Sequence, residues 1–387
     1  MKILFVCMTD PRETAYGGQQ RTHVIWKGLQ SVGDVWTVVP VPHREQEEFD
    51  DKSRIFKVCL EKRYSLGWFA QRLLKRFIPY WDCSWAYDQK AFQRLIASQI
   101  GKVDAVISRY IRPAAAFKLW KIAPLYVDAD DIHTFEFDAE TRVVGNSLKR
   151  RLQRWLLARF QFRIYGKAQK LWVPAPEQVA LLPDYPLSCL PNIPCRTLPD
   201  YSDVLGDKNT LFFVGLMSSE PNIVAIDWFL TSFWTKLKGE FPKLRLNIVG
   251  GGLPAQFVAK WKDFRGVNIL GCQADIDNFY KEALAVITPM QIGMGSCIKV
   301  VEALGIGRCV ISTRQGLRGI PVRERYADYG MMTFEDYESL CVAIKTLQKV
   351  DLRSEDQKGG RNYVQANFSQ LKIATVLRCD MEEDGND

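Results

Sequence analysis

Pro289-Met290-Gln291-Ile292-Gly293-Met294-Gly295-Ser296-Cys297-Ile298-Lys299-Val300-Val301-Glu302-Ala303-Leu304-Gly305 is the stretch on which the reading of this chain turns. Just before it, Ala285-Val286-Ile287-Thr288 is a short apolar run of strand character, and Pro289 stops it. Gly293 and Gly295 then let a ligand approach the backbone closely. Ser296 to Gly305 has helical spacing, so Ser296, Cys297 and Ile298 present N–H groups at the positive end of a helix. Strand, glycine turn and helix N-terminus together make a phosphate cradle. Glu302 lies nearly two turns into the helix. It is placed to accept hydrogen bonds from a ribose diol, or equally to sit in solvent as a surface glutamate.

Working outward, the same alternation continues on both sides. Leu211–Gly215, Leu244–Val249, Val267–Leu270 and Cys309–Ser312 read as strands. Asn222–Leu237, opened by Pro221, and Asp275–Leu284 read as helices. In the first half, Lys2–Met8 is a buried strand followed by a loop that runs to Tyr16-Gly17-Gly18. A helix with Val24, Ile25, Leu29 and Val32 on one side follows, Gly33 ends it, and Val35–Val39 is the next strand. Further strands are expected at Val103–Ser108, Leu125–Asp128 and Lys170–Val173. Alternating strands and helices imply parallel sheets covered on both faces.

The expected organisation is therefore α/β, with two doubly wound domains facing across a cleft: residues 1–195, residues 205–370, and a tail at 371–387 that packs back on the first domain. Ligand loops lie at the carboxyl ends of parallel strands. Those are Asp10–Gly18, Asp128–Thr134, Gly215–Glu220, Gly250–Leu253, Cys272–Asp275 and Pro289–Cys297.

Composition narrows the function classes. The 387 residues are 47% hydrophobic and 25% charged, an ordinary globular mix. No apolar run is long enough to cross a bilayer, and Met1–Met8 has no signal-peptide character. The ten cysteines form no C-x-x-C pair and read as thiols of a reducing cytoplasm. The three histidines, His23, His43 and His133, have no metal-ligand spacing, so no metal is expected. No nucleic-acid-binding motif occurs.

The net charge of +8 is unevenly spread. Nine basic residues and no acidic one lie between Glu140 and Glu177. There Leu148, Leu152, Trp155, Leu156, Phe160 and Phe162 sit among arginines, and Tyr64–Trp81 is similar. Such helices either face a core with solvated outer charges or lie on an anionic membrane surface.

Several motifs in order resemble the retaining nucleotide-sugar glycosyltransferases of family 4, which have the GT-B fold. They are Val214-Gly215-Leu216-Met217 with Pro221-Asn222, Gly293 through Ala303, and Val310-Ile311-Ser312-Thr313 with Gly316 and Gly319. Leu190-Pro191-Asn192 and Tyr16-Gly17-Gly18 add to them. The resemblance implies a nucleoside-diphosphate sugar as donor substrate, no cofactor, and a glycan or lipid-linked acceptor. It assigns Gly215, Gly293, Gly295, Ser296, Cys297, Ile298, Lys299 and Glu302 to the donor, with Gly17 and Gly18 closing over the diphosphate or acceptor. Asp130 and His133, in Asp128-Ala129-Asp130-Asp131-Ile132-His133, would face the transferred sugar.

The chain departs from the family at three positions. Met294 stands where the first glutamate of E-x7-E belongs, and Leu216 and Pro221 stand where many members carry arginine and lysine for the diphosphate. Lys299, Arg314, Arg318 and Arg21 are the candidate replacements. The implied location is cytoplasmic, peripheral on the membrane face if the basic helices engage it. The rival readings are a sugar-nucleotide epimerase of the same architecture and a non-catalytic basic binding protein.

Overall fold

The computed structural model describes residues 1–42, 45–61, 66, 69, 87–130, 132–145, 147–204, 206–293, 295–322, 325–349 and 355–382. His43, Asp131, Met294 and all of Tyr64–Trp81 except residues 66 and 69 lie outside them. The chain divides into two units, Met1–Pro191 with Gln370–Asp387, and Asn192–Ser369.

The first unit holds β1 (Lys2–Val6), β2 (Asp34–Val41), β3 (Glu48–Asp50), β4 (Ile55–Cys59), β5 (Ala105–Arg109), β6 (Leu125–Asp128), β7 (Lys170–Val173) and β8 (Leu187–Cys189). They form one sheet in the order β3-β4-β2-β1-β5-β6-β7-β8. β1 is central and parallel to both neighbours, Phe5 lying against Thr37 and Ile107. That position explains its unbroken apolar sequence, since Ile3, Leu4, Phe5 and Val6 are all fully buried. The β3–β4 pair is antiparallel and was not expected from sequence. Its three-residue edge strand is too short to show a period.

The helix expected after Gly18 is Gly17–Gln30, ending at Ser31. Gly33 lies beyond it, packed so closely that a Cβ there would fall 2.4 Å from the Met1 carbonyl oxygen. The Gln370–Glu382 helix packs along Gly17–Gln30. A Cβ on Gly28 would come within 2.8 Å of both Ile373 and Leu377. Gln370 Nε2 donates to the Val24 carbonyl at 3.0 Å, and Trp172 Nε1 donates to Asp380 at 2.7 Å.

The second unit holds β9 (Thr210–Val214), β10 (Arg245–Val249), β11 (Val267–Gly271), β12 (Ala285–Thr288), β13 (Val310–Ser312) and β14 (Met331–Thr333). They form a parallel sheet in the order β11-β10-β9-β12-β13-β14. The helix expected over Asn222–Leu237 is interrupted. Glu220–Phe229 passes through a wider π turn at Leu230–Trp234 into Thr235–Glu240. The fully buried Arg308 gives its guanidinium to the carbonyls of Tyr280, Val204 and Lys281, each at 2.8 Å. Both units are thus Rossmann-like α/β layers.

The C-terminal helix yields a stability test. Leu377 is fully buried against Gly17–Gln30. Leu377→Ala should cost about 2–5 kcal/mol, read as a lower urea midpoint at unchanged slope.

Candidate functional site

In the second unit the site grows from the exits of β9 and β12. Gly215 follows β9, and its backbone N–H donates to the Val249 carbonyl at 3.0 Å. Past β12 the chain turns through Gly293 (φ 118°) and Gly295 (φ 69°), a backbone region that favours glycine. The following helix runs Ile298–Ile306 with Cys297 as its N-cap, two residues later than expected. Among the described residues nothing accepts a hydrogen bond from the N–H groups of Ser296, Cys297 or Ile298. The buried Oγ of Ser296 also has no partner.

Lys299 points from this helix to the β9 exit. Its Nζ donates to Asn222 Oδ1 at 2.7 Å, lies 4.3 Å from the Phe213 ring centroid, and would be 3.1 Å from a Cβ on Gly215. Asn222 is held in turn by donating to the Leu216 carbonyl at 2.9 Å. So an ammonium reaches the loop where Leu216 and Pro221 supply none. Burial pushes the Lys299 pKa down to about 8, and Arg318 adds to the effect.

Glu302 lies on the same helix, with its side chain mostly covered. Tyr280 Oη donates to its Oε2 at 3.0 Å, and Arg196 Nε lies 3.5 Å from Oε1. Burial raises its pKa above the ordinary carboxylate range, against the opposing pull of Arg196 and Tyr280. A carboxylate has about four acceptor positions, so two protein contacts leave room for hydroxyls. Arg196 also pairs with Asp277 at 2.6 Å, while its Nε and Nη2 are buried without a hydrogen bond. Sequence reasoning missed Arg196, a lone arginine in a polar connecting segment with no motif around it. Arg318 packs against Gly293, where an added Cβ would meet Nη2 at 3.0 Å. Arg314 is exposed and pairs with Glu335 at 3.0 Å.

In the first unit the exits of β5 and β6 carry a cluster of four charges. Asp128 receives Arg21 through Nη2 at 2.6 Å and Nε at 3.0 Å. Arg109 Nη1 lies 2.8 Å from Asp128 Oδ2, an ion-pair contact outside hydrogen-bond geometry. Arg109 Nη2 donates to Asp130 at 2.8 Å and to Tyr110 Oη at 2.9 Å. Arg21 Nη1 donates to the Leu190 carbonyl at 3.0 Å. Burial works to raise the Asp130 pKa, but Arg109 and Arg21 outweigh it and hold the group below its ordinary value. His133 stands half-buried at the start of the His133–Val144 helix. A Cβ on Gly18 would meet Tyr110 Oη at 3.3 Å, whereas Gly17 faces open space. The structure therefore gathers Gly18, Tyr110, Arg109, Arg21 and Asp130, with Arg21 committed to Asp128. Among the described residues no group of three or more His, Cys, Asp or Glu side chains is arranged to hold a metal.

Solved structures with this architecture include glycosyltransferases of the GT-B type. Residues 208–349 match the family model described as "Glycosyl transferases group 1". A sucrose-phosphate synthase from Thermosynechococcus elongatus is similar, with TM-score 0.69, 15% identity, and 99% of each chain covered. The catalytic domain of starch synthase IV from Arabidopsis thaliana, bound to ADP and acarbose, has TM-score 0.63 and 11% identity over 100% of this chain and 99% of that one. Anabaena HepE, solved in complex with UDP, has TM-score 0.60 and 13% identity over 99% and 100%. At these identities the solved structures establish the fold. With the family match, they support a glycosyltransferase. No curated protein matches the sequence.

The buried ammonium has a pH signature. Its folded pKa of about 8 lies below the ordinary 10.5, so between those values the unfolded chain binds more protons and stability rises with pH. Below pH ~8 the full cost of the buried charge is present. Lys299→Met should be more stable than wild type at pH 7, on the order of 1–3 kcal/mol. Thermal melts should show that gap closing as pH rises to about 10.5.

Proposed function

We propose that the chain is a glycosyltransferase that takes a sugar from a nucleoside-diphosphate donor with retention of configuration. The observation that carries this reading is the Gly293–Ile298 turn. Among the described residues nothing accepts from its N–H groups or pairs with the Ser296 hydroxyl, and Lys299 and Glu302 follow on the same helix. ADP and UDP in the neighbours' structures support a nucleotide as ligand. In this reading the helix N-terminus and Lys299 hold the diphosphate, Arg318 lies beside the turn, and Glu302 accepts the ribose hydroxyls. Asp130 and His133 are assigned to the sugar and acceptor, a glycan or lipid-linked molecule.

The acceptor hydroxyl attacks the anomeric carbon on the face the diphosphate leaves. The bond from that carbon to the phosphate oxygen breaks, and the departing oxygen takes the hydroxyl proton. The protein contributes positioning and stabilisation of the leaving charge. No side-chain nucleophile is required.

A thermal-shift series with UDP-, GDP-, ADP- and TDP-sugars tests the donor class. The matching donor at one hundred times its Kd should add ~2.7 kcal/mol of stability; silence from all four would overturn the reading. Glu302→Ala should weaken that donor by about 1.5–3 kcal/mol in a protein that still melts cooperatively. Product analysis without acceptor distinguishes the epimerase, which alone would interconvert the donor sugar.

We also propose that donor binding and transfer need no metal, since a lysine and a helix N-terminus supply the positive charge. Transfer should persist in EDTA. Loss of activity restored by Mn²⁺ would show that the cradle needs a divalent ion.

A further inference from the structure

The outward face of the Leu148–Tyr165 helix is unusual for a solvated surface. Leu157, Phe160, Ile164 and Tyr165 are buried on its inner side. On the opposite side Leu148 is 82% exposed, Leu152 52% and Trp155 55%. Spaced by four and then three residues, they form a single stripe along the helix. Isolated exposed apolar side chains are common, but a contiguous stripe marks an interaction surface.

The charges around the stripe identify the partner. The 18-residue helix carries Lys149, Arg150, Arg151, Arg154, Arg159 and Arg163 and no acidic residue. Lys149 and Arg151 are exposed beside the stripe, and their side chains make no ion pair with a described residue. The guanidinium of Arg159 lies 5.5 Å from the Trp155 ring centroid. Next to the stripe is a pocket of about 280 Å³ lined by Phe137, Asp138, Arg150, Arg151, Arg154 and Trp155. Asp138 neutralises Arg154 through bonds of 2.8 and 2.9 Å, and Arg150 donates to Thr141 Oγ1 at 3.0 Å. Arg151 brings to this pocket a charge that no described residue neutralises.

We propose that this face docks on an anionic membrane surface. The leucines and Trp155 enter the headgroup boundary, and the pocket takes a phosphate-bearing headgroup. With six charges in 18 residues the helix lies along the interface instead of crossing it. A second copy of this chain would bring the same six positive charges to the contact, which opposes self-association. The inference is independent of the reaction proposed above.

Co-sedimentation of the full chain with phosphatidylcholine vesicles, with and without about 30% phosphatidylglycerol, tests the proposal. Wild type should bind only the anionic vesicles, and binding should fall steeply with salt. Each basic residue near such a surface strengthens binding about fivefold. Lys149→Glu with Arg151→Glu should therefore weaken it about 25-fold or more. Leu152→Ser with Trp155→Ser should weaken it at least about tenfold. Both pairs should melt like wild type, because the altered side chains are exposed. Absence of binding at low salt, equal binding to neutral vesicles, or variants that bind like wild type would each overturn the proposal. So would a wild-type dimer that the Leu152/Trp155 variant splits, which would assign the face to a second copy.

Discussion

Parallel pairing is the constraint from which the two sites follow. Among the described strands only β3 and β4 run antiparallel. A parallel neighbour requires a crossover, and each crossover leaves from a strand's carboxyl end. Exit loops and helix N-termini therefore collect along one edge of each sheet. Crowding at that edge selects glycine. A Cβ on Gly250 would fall 1.7 Å from the Gly215 carbonyl oxygen, and one on Gly316 would fall 2.4 Å from that of Thr288. The turn at Gly293 lies at the same edge, after β12.

The two units treat buried charge in opposite ways. In the first, Arg21 and Arg109 face Asp128 and Asp130, two charges of each sign closed on one another. Removing either partner from such a cluster strands a buried ion, so the cluster fixes the loop after β6. In the second unit the satisfaction is incomplete. Among the described residues Lys299 has an amide oxygen and an aromatic face but no carboxylate contact, and Ser296 Oγ and two nitrogens of Arg196 lack hydrogen-bond partners, as Arg109 Nη1 does in the first unit. Buried polar groups left unsatisfied are costly. The Ser296 hydroxyl lies at the turn assigned to an anionic ligand, whose oxygens would complete it, while the Arg196 nitrogens lie beside Glu302 and Asp277.

Much of this was legible in sequence. Leu125–Asp128, Lys170–Val173 and Ala285–Thr288 have the bounds expected from their short, largely apolar sequences. Buried parallel strands advertise themselves in this way. The short edge strands and the π turn were not legible, since three residues carry no period and the wider turn keeps the apolar spacing nearly helical. At the sites, the glycine–helix pattern pointed to the 293–302 segment, but only the fold brings Lys299 to Asn222. Four cations looked equivalent in sequence. Three-dimensional partners separate them: Arg21 is tied to Asp128, Arg314 to Glu335, and Lys299 and Arg318 lie at the glycine turns. The exposed stripe of Leu148, Leu152 and Trp155 was ambiguous for the same reason, because composition does not say which side of a helix faces the core.

The chain leaves its first unit at Pro191 and re-enters it at Gln370. During synthesis, residues 192–369 emerge as one uninterrupted piece and can complete their own sheet. The first unit must wait. Until Ile373, Leu377 and Asp380 leave the ribosome, the Gly28 face of its first helix is bare and the Trp172 indole N–H lacks its carboxylate. The earliest-made half is thus the last to be sealed. A ribosome stalled before residue 370 would display an apolar helix face for chaperones to hold.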